Sequence, residues 1–385
     1  MKKTLLTIIL CLTMAVPVYA LDTSNASNTV NISTDINPAI SAVNTANEGV
    51  MTDADAAATE TLTVDQATRA AINASSDLKN YSDNAASNND SLDILKDEFN
   101  TVTDYGTVLN LAVQIMQTQV ANIQTDNNAN LATDKLRISV MNLFATIISA
   151  QKSLELTDQS LSIQKRQLDI AKVKYSEGYI SRLDMDTQTN SYSQNLASRE
   201  TQSINISNAF ISLNKLMGYS LNRQYNLILD FEYEPIGNVN LSGAVDTAIR
   251  ADPGVINQQG NVNVAQYQIQ MYDSDVSSQS LDSLNRSLEQ AQRNLSDTQS
   301  GVAQKVTNAY NSIKNQEIQY GNAVLALDSL YNQVPLKIKQ VELGKTTQLD
   351  LDQLYLQIAQ QQETIRDLTV SHTINVIQFQ EPATL

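Results

Sequence analysis

The chain has 385 residues, of which 42% are apolar and 17% are charged, so it has enough apolar material for a packed core. Its formal charge of −16 disfavours nucleic acid as a partner, because Lys and Arg are too few to neutralise phosphates. The chain has only eleven Gly and six Pro, which favours long helices over a fold with many turns. It has one Cys and one His, which are too few for a Cys/His metal cluster and leave little material for a Ser-His-Asp triad. We therefore expect no enzymatic activity, no cofactor and no metal.

The N-terminal segment, 1–20, has the pattern of an export signal. Two lysines precede an apolar run that ends in Pro17-Val18-Tyr19-Ala20, with small residues at the positions that a signal peptidase reads. The run is too short for a membrane helix, and the alternative is an uncleaved N-terminal anchor. Residues 21–60 contain no Lys or Arg and are rich in Ser, Thr, Asn and Asp. This composition predicts a flexible acidic lead-in to an exported protein that begins at Leu21.

A long helical hairpin is predicted next. Residues 107–177 and 182–217 contain no Gly or Pro, and the stretch between them carries Gly178. Two helices joined by a tight turn are the simplest interpretation. In the first helix, positions that alternate steps of four and three are nearly all apolar, which is typical of a coiled-coil seam. The seam positions are Leu136, Val140, Leu143, Ile147, Ala150, Leu154, Thr157, Leu161, Gln164, Leu168, Ala171 and Tyr175.

The hairpin pattern returns in the second half of the chain. The stretch Gly344-Lys-Thr-Thr347-Gln-Leu349-Asp350 matches Gly178-Tyr-Ile-Ser181-Arg-Leu183-Asp184, and the segment 62–78 matches 239–255. We interpret the chain as an internal duplication. The second seam consists of Val302, Val306, Ala309, Ile313, Gln316, Tyr320, Ala323, Leu327, Leu330, Val334, Lys337 and Val341.

The duplication sets the predicted domain boundaries. A crossover linker separates the two repeats, and its extended run from Asn226 to Pro235 predicts a short strand. A short tail closes the chain. The boundaries are 1–20 for the signal peptide, 21–60 for the lead-in, 61–218 for the first helical repeat, 219–240 for the crossover, 241–380 for the second helical repeat and 381–385 for the tail.

Three features of the sequence make it resemble the outer-membrane efflux protein (TolC) family. They are the duplicated halves, the Tyr-x-x-Gly-x-x-Ser-x-x-Asp pattern at the first turn, and Leu216-Met-Gly218 at the end of the first half. The resemblance covers residues 60–380. It implies an all-α protomer of an α-barrel, built from duplicated long antiparallel coiled-coil hairpins with at most a short strand in the crossover. It also implies a homotrimer in the cell envelope, at the outer membrane or in the periplasm.

The same resemblance implies an exit-duct subunit of an efflux or type I secretion-like assembly. Such a duct is a passive conduit that docks a periplasmic adaptor (membrane fusion) protein and an inner-membrane pump. The alternative is an exported coiled-coil spacer or scaffold without channel activity. Oligomeric state discriminates the two, because a duct requires a closed ring.

The residues at the two turns suit either a docking tip or simply a stable turn. A Gly permits a left-handed backbone, and a Ser or Thr three positions later can cap the returning helix, with an Asp at its third position. By resemblance, the turns dock the adaptor, and the aspartate six residues after each tip glycine lines the entrance of the tube. The predicted docking residues are Gly178, Ser181, Gly344 and Thr347. The predicted entrance acids are Asp184 and Asp350 at that position, together with Asp186 and Asp352 two residues further on, which depart from the usual family spacing.

Two further features complete the sequence expectations. Family members carry a membrane β-hairpin in each half, but the matching intervals here are short, and Gln270–Ser280 is too polar to face lipid. We therefore predict that short turns near Tyr105-Gly106 and Asp273–Ser278 replace both hairpins, which disfavours direct membrane insertion.

The only histidine, His372, lies on an apolar helical stripe, and we interpret it as a satisfied core residue rather than a metal ligand.

Overall fold

The computed structural model describes residues 60–385, so the export signal and nearly all of the acidic lead-in lie outside the described residues. The predicted fold class is confirmed, because long helices dominate this part of the chain and form two long antiparallel hairpins. The helices are α1 (Val64–Ala74), α2 (Ser76–Thr101), α3 (Tyr105–Ser176), α4 (Arg182–Met217), α5 (Leu241–Ala251), α6 (Pro253–Gln270), α7 (Leu281–Glu342) and α8 (Gln348–Gln380), and a 3₁₀ turn (Pro382–Thr384) follows.

The helix boundaries follow from local capping chemistry. Thr63 and Gln66 form a capping box at the start of α1, and Ser75 caps α2. Asp104 accepts a 2.9 Å hydrogen bond from the Thr107 N–H and starts α3, which runs without interruption for 72 residues. At 1.5 Å per residue α3 is about 108 Å long. Each of these side chains satisfies a backbone donor that a helix start would otherwise leave unpaired.

A two-stranded parallel sheet ties the crossover to the start of the described chain. β1 (Thr61–Thr63) pairs with β2 (Asn226–Ile228), with Leu62 opposite Leu227. The short strand predicted in the crossover is confirmed, and the pairing ends after three residues because the partner strand passes directly into α1. A strand extends only where a neighbour supplies hydrogen-bonding groups.

Turns occupy both places where the sequence predicts them. A three-residue break, Val102–Asp104, joins α2 to α3 slightly before the predicted position, and residues 271–280 join α6 to α7. The second turn is closed by the Asp273 N–H, which donates to Ser277 Oγ at 3.1 Å. It packs closely on α3, since a Cβ added at Gly106 would lie 2.3 Å from Val276 Cγ1. Of the helices in residues 60–385, none has both the length and the apolar composition to span a bilayer.

The seam positions predicted from the sequence are the packing positions of the hairpins. In α3 every seam residue except Tyr175 is buried or half-buried. In α7 every seam residue is buried or half-buried. Around Phe144, which is fully buried, α1, α3 and α4 form the first core cluster. Burial of such side chains contributes about 1.5–3 kcal/mol each, so this cluster outweighs any surface ion pair. Its buried members are Leu62, Ala67, Ala71, Val140, Phe144, Ile147, Ile206, Phe210, Leu213, Met217 and Tyr225.

The four long helices lie side by side in the order α4, α3, α8, α7. Each hairpin packs internally, and α3 also packs against α8. Arg137 pairs with Glu381 just beyond the end of α8, and Arg166 pairs with Asp352 near its start. The two arginines are as far apart in sequence as the two acids, so the helices run antiparallel without a slip in register. Among the described residues α4 and α7 share no extensive contact, and they form the two edges of the row.

We expect Phe144→Ala to lower the free energy of unfolding by about 3–5 kcal/mol, because it leaves a cavity in the first core cluster. Ile94→Ala is the matched control. Ile94 is 66% exposed, so its truncation should change stability by about 0.5 kcal/mol or less. Urea denaturation at one protein concentration measures both effects, and equal losses in the two variants would contradict the core assignment.

Candidate functional site: the two hairpin tips

The first tip is a helix end closed by a left-handed glycine. Gly178 has φ +77°, and a Cβ added there would meet nothing within 4 Å. The Gly178 N–H donates to the Tyr175 carbonyl at 3.0 Å, and the Tyr179 N–H donates to the Lys174 carbonyl at 2.8 Å. This paired arrangement is the Schellman motif, which satisfies the last carbonyls of a helix. The left-handed backbone conformation at position 178 is the reason that this turn requires glycine there.

A capping box starts the returning helix α4. The Asp184 N–H donates to Ser181 Oγ at 3.1 Å, while the Ser181 N–H and hydroxyl donate to Asp184 Oδ2 at 3.1 and 2.8 Å. These hydrogen bonds from Ser181 lower the pKa of Asp184. The predicted capping roles of both residues are confirmed, and Asp184 is ionised at neutral pH.

The second tip repeats this chemistry. Gly344 has φ +66° and ends α7 with the same pair of backbone hydrogen bonds. Thr347 caps α8, and Asp350 Oδ2 accepts from the Thr347 hydroxyl, the Thr347 N–H and the Thr346 hydroxyl at 2.7, 2.9 and 2.7 Å. These hydrogen bonds lower the pKa of Asp350 to about 2. The extra donor, Thr346, replaces Ile180 of the first tip.

The structure brings the two tips to the same end of the helix row. Thr347 and Leu349 of the second tip line one groove of about 470 Å³ with Ile180 and Tyr192 of the first hairpin. Arg166 Nη1 lies 2.6 Å from Asp352 Oδ2 across the hairpins. The last residue of α3 lies ten residues beyond Arg166, whereas the first residue of α8 lies four residues from Asp352. The first hairpin therefore extends about 9 Å, the rise of six helical residues, beyond the second.

The four predicted entrance acids occupy different surroundings. Asp184 and Asp186 lie on the exposed start of α4, where Asp186 is 3.6 Å from the Arg182 guanidinium. Asp350 is held by the second capping box, and Asp352 pairs with Arg166 of the other hairpin. The Asp352 side chain is 22% exposed, and it also accepts a 3.1 Å hydrogen bond from Gln348. Within a single chain these acids form two separate pairs, one on each hairpin.

Sequence reasoning missed the apolar surface around the tips. Tyr179 is 76% exposed, Leu183 is 75% exposed and Leu343 is 60% exposed. Tyr179 and Leu343 follow α3 and α7 but do not continue the seam spacing of those helices, and that mismatch is the signal that could identify them. Leu183 also differs from its duplicate Leu349, which is half-buried against the first hairpin.

No protein-family model matches the sequence, and no curated protein matches it at a significant level. Solved structures do match. The Campylobacter jejuni CmeC outer membrane channel aligns with a TM-score of 0.63 and 10% identity over 96% of this chain and 94% of that one. This chain has the TolC-like helical fold. A membrane protein from Pseudomonas aeruginosa aligns with a TM-score of 0.62 and 10% identity over 87% of this chain and 97% of that one.

The outer membrane protein VceC from Vibrio cholerae aligns with a TM-score of 0.60 and 10% identity over 84% of this chain and 97% of that one. These alignments cover nearly the whole length of each solved chain. At such low identity they establish the TolC-like fold and leave the function to be argued from the tips and the helix faces.

We expect Gly178→Ala and Gly344→Ala to destabilise the protein by about 1 kcal/mol each, because an L-residue is strained in the left-handed region. Gly321→Ala is the matched control. Gly321 lies inside α7 with no positive φ and with open space around a built Cβ, so alanine there should stabilise by about 0.5–1 kcal/mol. Opposite signs in urea denaturation check the tip geometry, and a stabilising Gly178→Ala would refute it.

Proposed function

We propose that this protein is a TolC-like exit-duct subunit of an efflux or type I secretion-like assembly in the cell envelope. It acts as a passive conduit, as a homotrimer that docks a periplasmic adaptor protein and, through it, an inner-membrane pump. The observation that carries the proposal is the pair of capped tips at one end of a helix row with the fold of outer membrane channels. The energy for transport comes from the pump, and the duct itself catalyses no reaction.

The order of the long helices supports a closed ring. A row of four helices with two free edges can close only if α7 of one copy packs against α4 of the next. Such a contact is heterologous, and repeating it by rotation generates a ring. A homotrimer of this kind places twelve long helices around an axis.

Apolar residues on both edges fit that contact. On α7, Ile318, Leu325 and Leu336 are 62–69% exposed and follow one another at steps of seven and eleven, which returns them to one helix face. On α4, Leu196, Ile204 and Ile211 are 37–53% exposed. Exposed apolar residues repeated along a helix indicate a partner helix. We assign that partner to a second copy of this chain.

The tips supply the docking surface and the acidic entrance of the proposed duct. Gly178, Ser181, Gly344 and Thr347 set the shape of the tips, and the exposed Tyr179, Leu183 and Leu343 supply apolar contact area for the adaptor. In a trimer, Asp184 and Asp350 from three copies bring six carboxylates to one end. Since hydrogen bonds lower the pKa of both, the ring stays ionised at neutral pH and attracts cations.

A second candidate is an exported coiled-coil spacer without channel activity. The turns at Val102–Asp104 and at residues 271–280 favour it, because they replace the segments that family members use to enter the membrane. A spacer requires no axial hole and no closed ring. The stoichiometry of the purified mature protein therefore separates the two candidates.

The mature protein should be a trimer with an axial hole, as seen by light scattering and by electron microscopy of single particles. Leu325→Glu should raise the trimer dissociation constant at least tenfold, because each α7–α4 contact loses a side chain worth about 1.5–3 kcal/mol on burial. Leu221→Glu makes the same chemical change at a 49% exposed position in the loop after α4, and it should leave the trimer intact. A wild-type monomer or dimer would favour the spacer.

The double variant Asp184→Asn/Asp350→Asn should weaken the binding of hexamminecobalt(III) to the trimer, because it removes the six clustered carboxylates. Calorimetric titration at protein concentrations where the trimer is complete measures the effect. Asp97→Asn/Asp282→Asn removes two exposed acids at the other end of the helix row and serves as the matched control. Equal losses in both double variants would show that the tip acids act only as helix caps.

A further inference from the structure

His372 on α8 is buried, with 1% of its side chain exposed. Neither of its ring nitrogens has a hydrogen-bond partner among residues 60–385. The sequence expectation of a core histidine is right about its burial but wrong about its being satisfied. A buried imidazole without partners is costly, and a buried imidazolium is costlier still. This residue therefore invites a functional explanation.

The carboxylate of Glu317 on α7 lies close to the His372 ring. His372 Nε2 lies 3.7 Å from Glu317 Oε1, which is too long for a hydrogen bond. Glu317 Oε1 instead accepts a 2.8 Å hydrogen bond from the Ile236 N–H, and Oε2 accepts one of 2.8 Å from Lys314 Nζ. Burial alone would raise the pKa of Glu317, but these hydrogen bonds outweigh it and lower its pKa. Glu317 is thus an ionised anchor.

The anchor holds the part of the crossover from residue 229 to residue 240, which we name the strap. Besides the Ile236 N–H, the strap offers its Gly237 carbonyl to Lys314 Nζ at 3.0 Å and its Glu232 carbonyl to the Thr373 hydroxyl at 3.4 Å. These contacts fasten the end of the crossover between the two repeats onto α7 and α8. Each involves polar groups that water can replace if the strap lifts.

An aromatic stack covers the histidine. Tyr233 of the strap stacks on Tyr320 of α7 with ring centroids 3.6 Å apart and 5° between the planes. The same Tyr233 ring lies 4.9 Å from the His372 ring, tilted by 45°. His372 is therefore shielded by the strap itself, and lifting the strap exposes it to water.

Few charged groups face His372. α7 presents Glu317 and Lys314, and the strap presents the Tyr233 phenol. On the side of α8 that packs against α3, Ile374 contacts Ile138 and Met141, which carry no charge. Burial lowers the pKa of His372, Glu317 opposes this effect and Lys314 adds to it, so that the net pKa is below its ordinary value. The closed strap thus favours the neutral imidazole.

We propose that His372, Glu317 and Tyr233 form a pH-sensitive latch that holds the strap closed at neutral pH and loosens it on acidification. In the open strap the imidazole is solvated and takes up a proton readily, whereas in the closed strap it resists protonation. Protons therefore bind preferentially to the open state and increase its population. The closed state is fully favoured above about pH 6.5, the ordinary pKa of His, and it is progressively lost below that pH.

The absence of any other histidine in the sequence makes the first measurement direct. The ¹³Cε1–¹H NMR signal of protein purified with a histidine-free tag reports His372 alone. Its pKa should lie below 6.5. Over the same pH range, hydrogen exchange of the strap amides, corrected for intrinsic rates, should lose protection by up to tenfold per pH unit. The turn at residues 271–280 serves as the internal reference and should show no such change.

Two variants test the cause of the change. His372→Phe keeps an aromatic ring against Tyr233 but cannot titrate, so protection of the strap should become independent of pH, and His372→Gln serves the same purpose if the phenylalanine variant does not fold. Glu317→Gln keeps an acceptor for the Ile236 N–H but removes the charge that favours imidazolium, so loosening should extend to lower pH. A His372 pKa at or above 6.5, or protection that is constant from pH 7.5 to 5, would overturn the latch. None of these measurements depends on the proposed duct function.

Discussion

The packing of α3 against α8 is the contact on which the rest of the structure depends. Arg137–Glu381 and Arg166–Asp352 lie at its two ends, and between them Ser149 donates a 3.1 Å hydrogen bond to Asp367. Ile138 and Met141 pack against Ile374 along the same line. The ion pairs are partly exposed and contribute about 0–1 kcal/mol each, so they fix the register while apolar burial supplies the stability.

The contact between α3 and α8 determines how the two halves of the duplication are arranged relative to each other. Each hairpin alone is a pair of helices with a capped turn. Because α3 and α8 are antiparallel and in register, both turns reach the same end of the row and line one groove. The same contact leaves α4 and α7 as outer helices with exposed apolar residues, which is the arrangement that a ring of identical copies requires.

The duplicated halves have diverged most where they meet other parts of the molecule. Both tips keep the left-handed glycine and the capping box, since these satisfy backbone groups in any surroundings. Near the tips, Leu183 of the first repeat is exposed, whereas its duplicate Leu349 is half-buried. Only in the second repeat does α7 contact the strap and the buried His372. Local backbone chemistry is thus common to both repeats, and the contacts between repeats make them different.

The sequence by itself determined the helices, the tips and the seam. A heptad-like apolar period, the long stretches without Gly or Pro, and the spacing of Gly178, Ser181 and Asp184 all report interactions between residues that are close together in the chain. The start of α3 was misplaced by only two residues, and the caps were found at both tips. Such features can be read from one segment because both partners lie in it.

Only the tertiary structure decided which distant groups meet. The strand at Thr61–Thr63 exists because Asn226–Ile228, in the crossover beyond the whole first hairpin, supplies its hydrogen bonds, and nothing in its own three residues signals this. How the second hairpin lies against the first likewise determines three other features. They are the Arg166–Asp352 pair, the exposure of Leu183 and the burial of His372. These contacts join residues that are far apart in sequence, so no local periodicity or spacing encodes them, and the physical reason is that burial and pairing are properties of the packed chain.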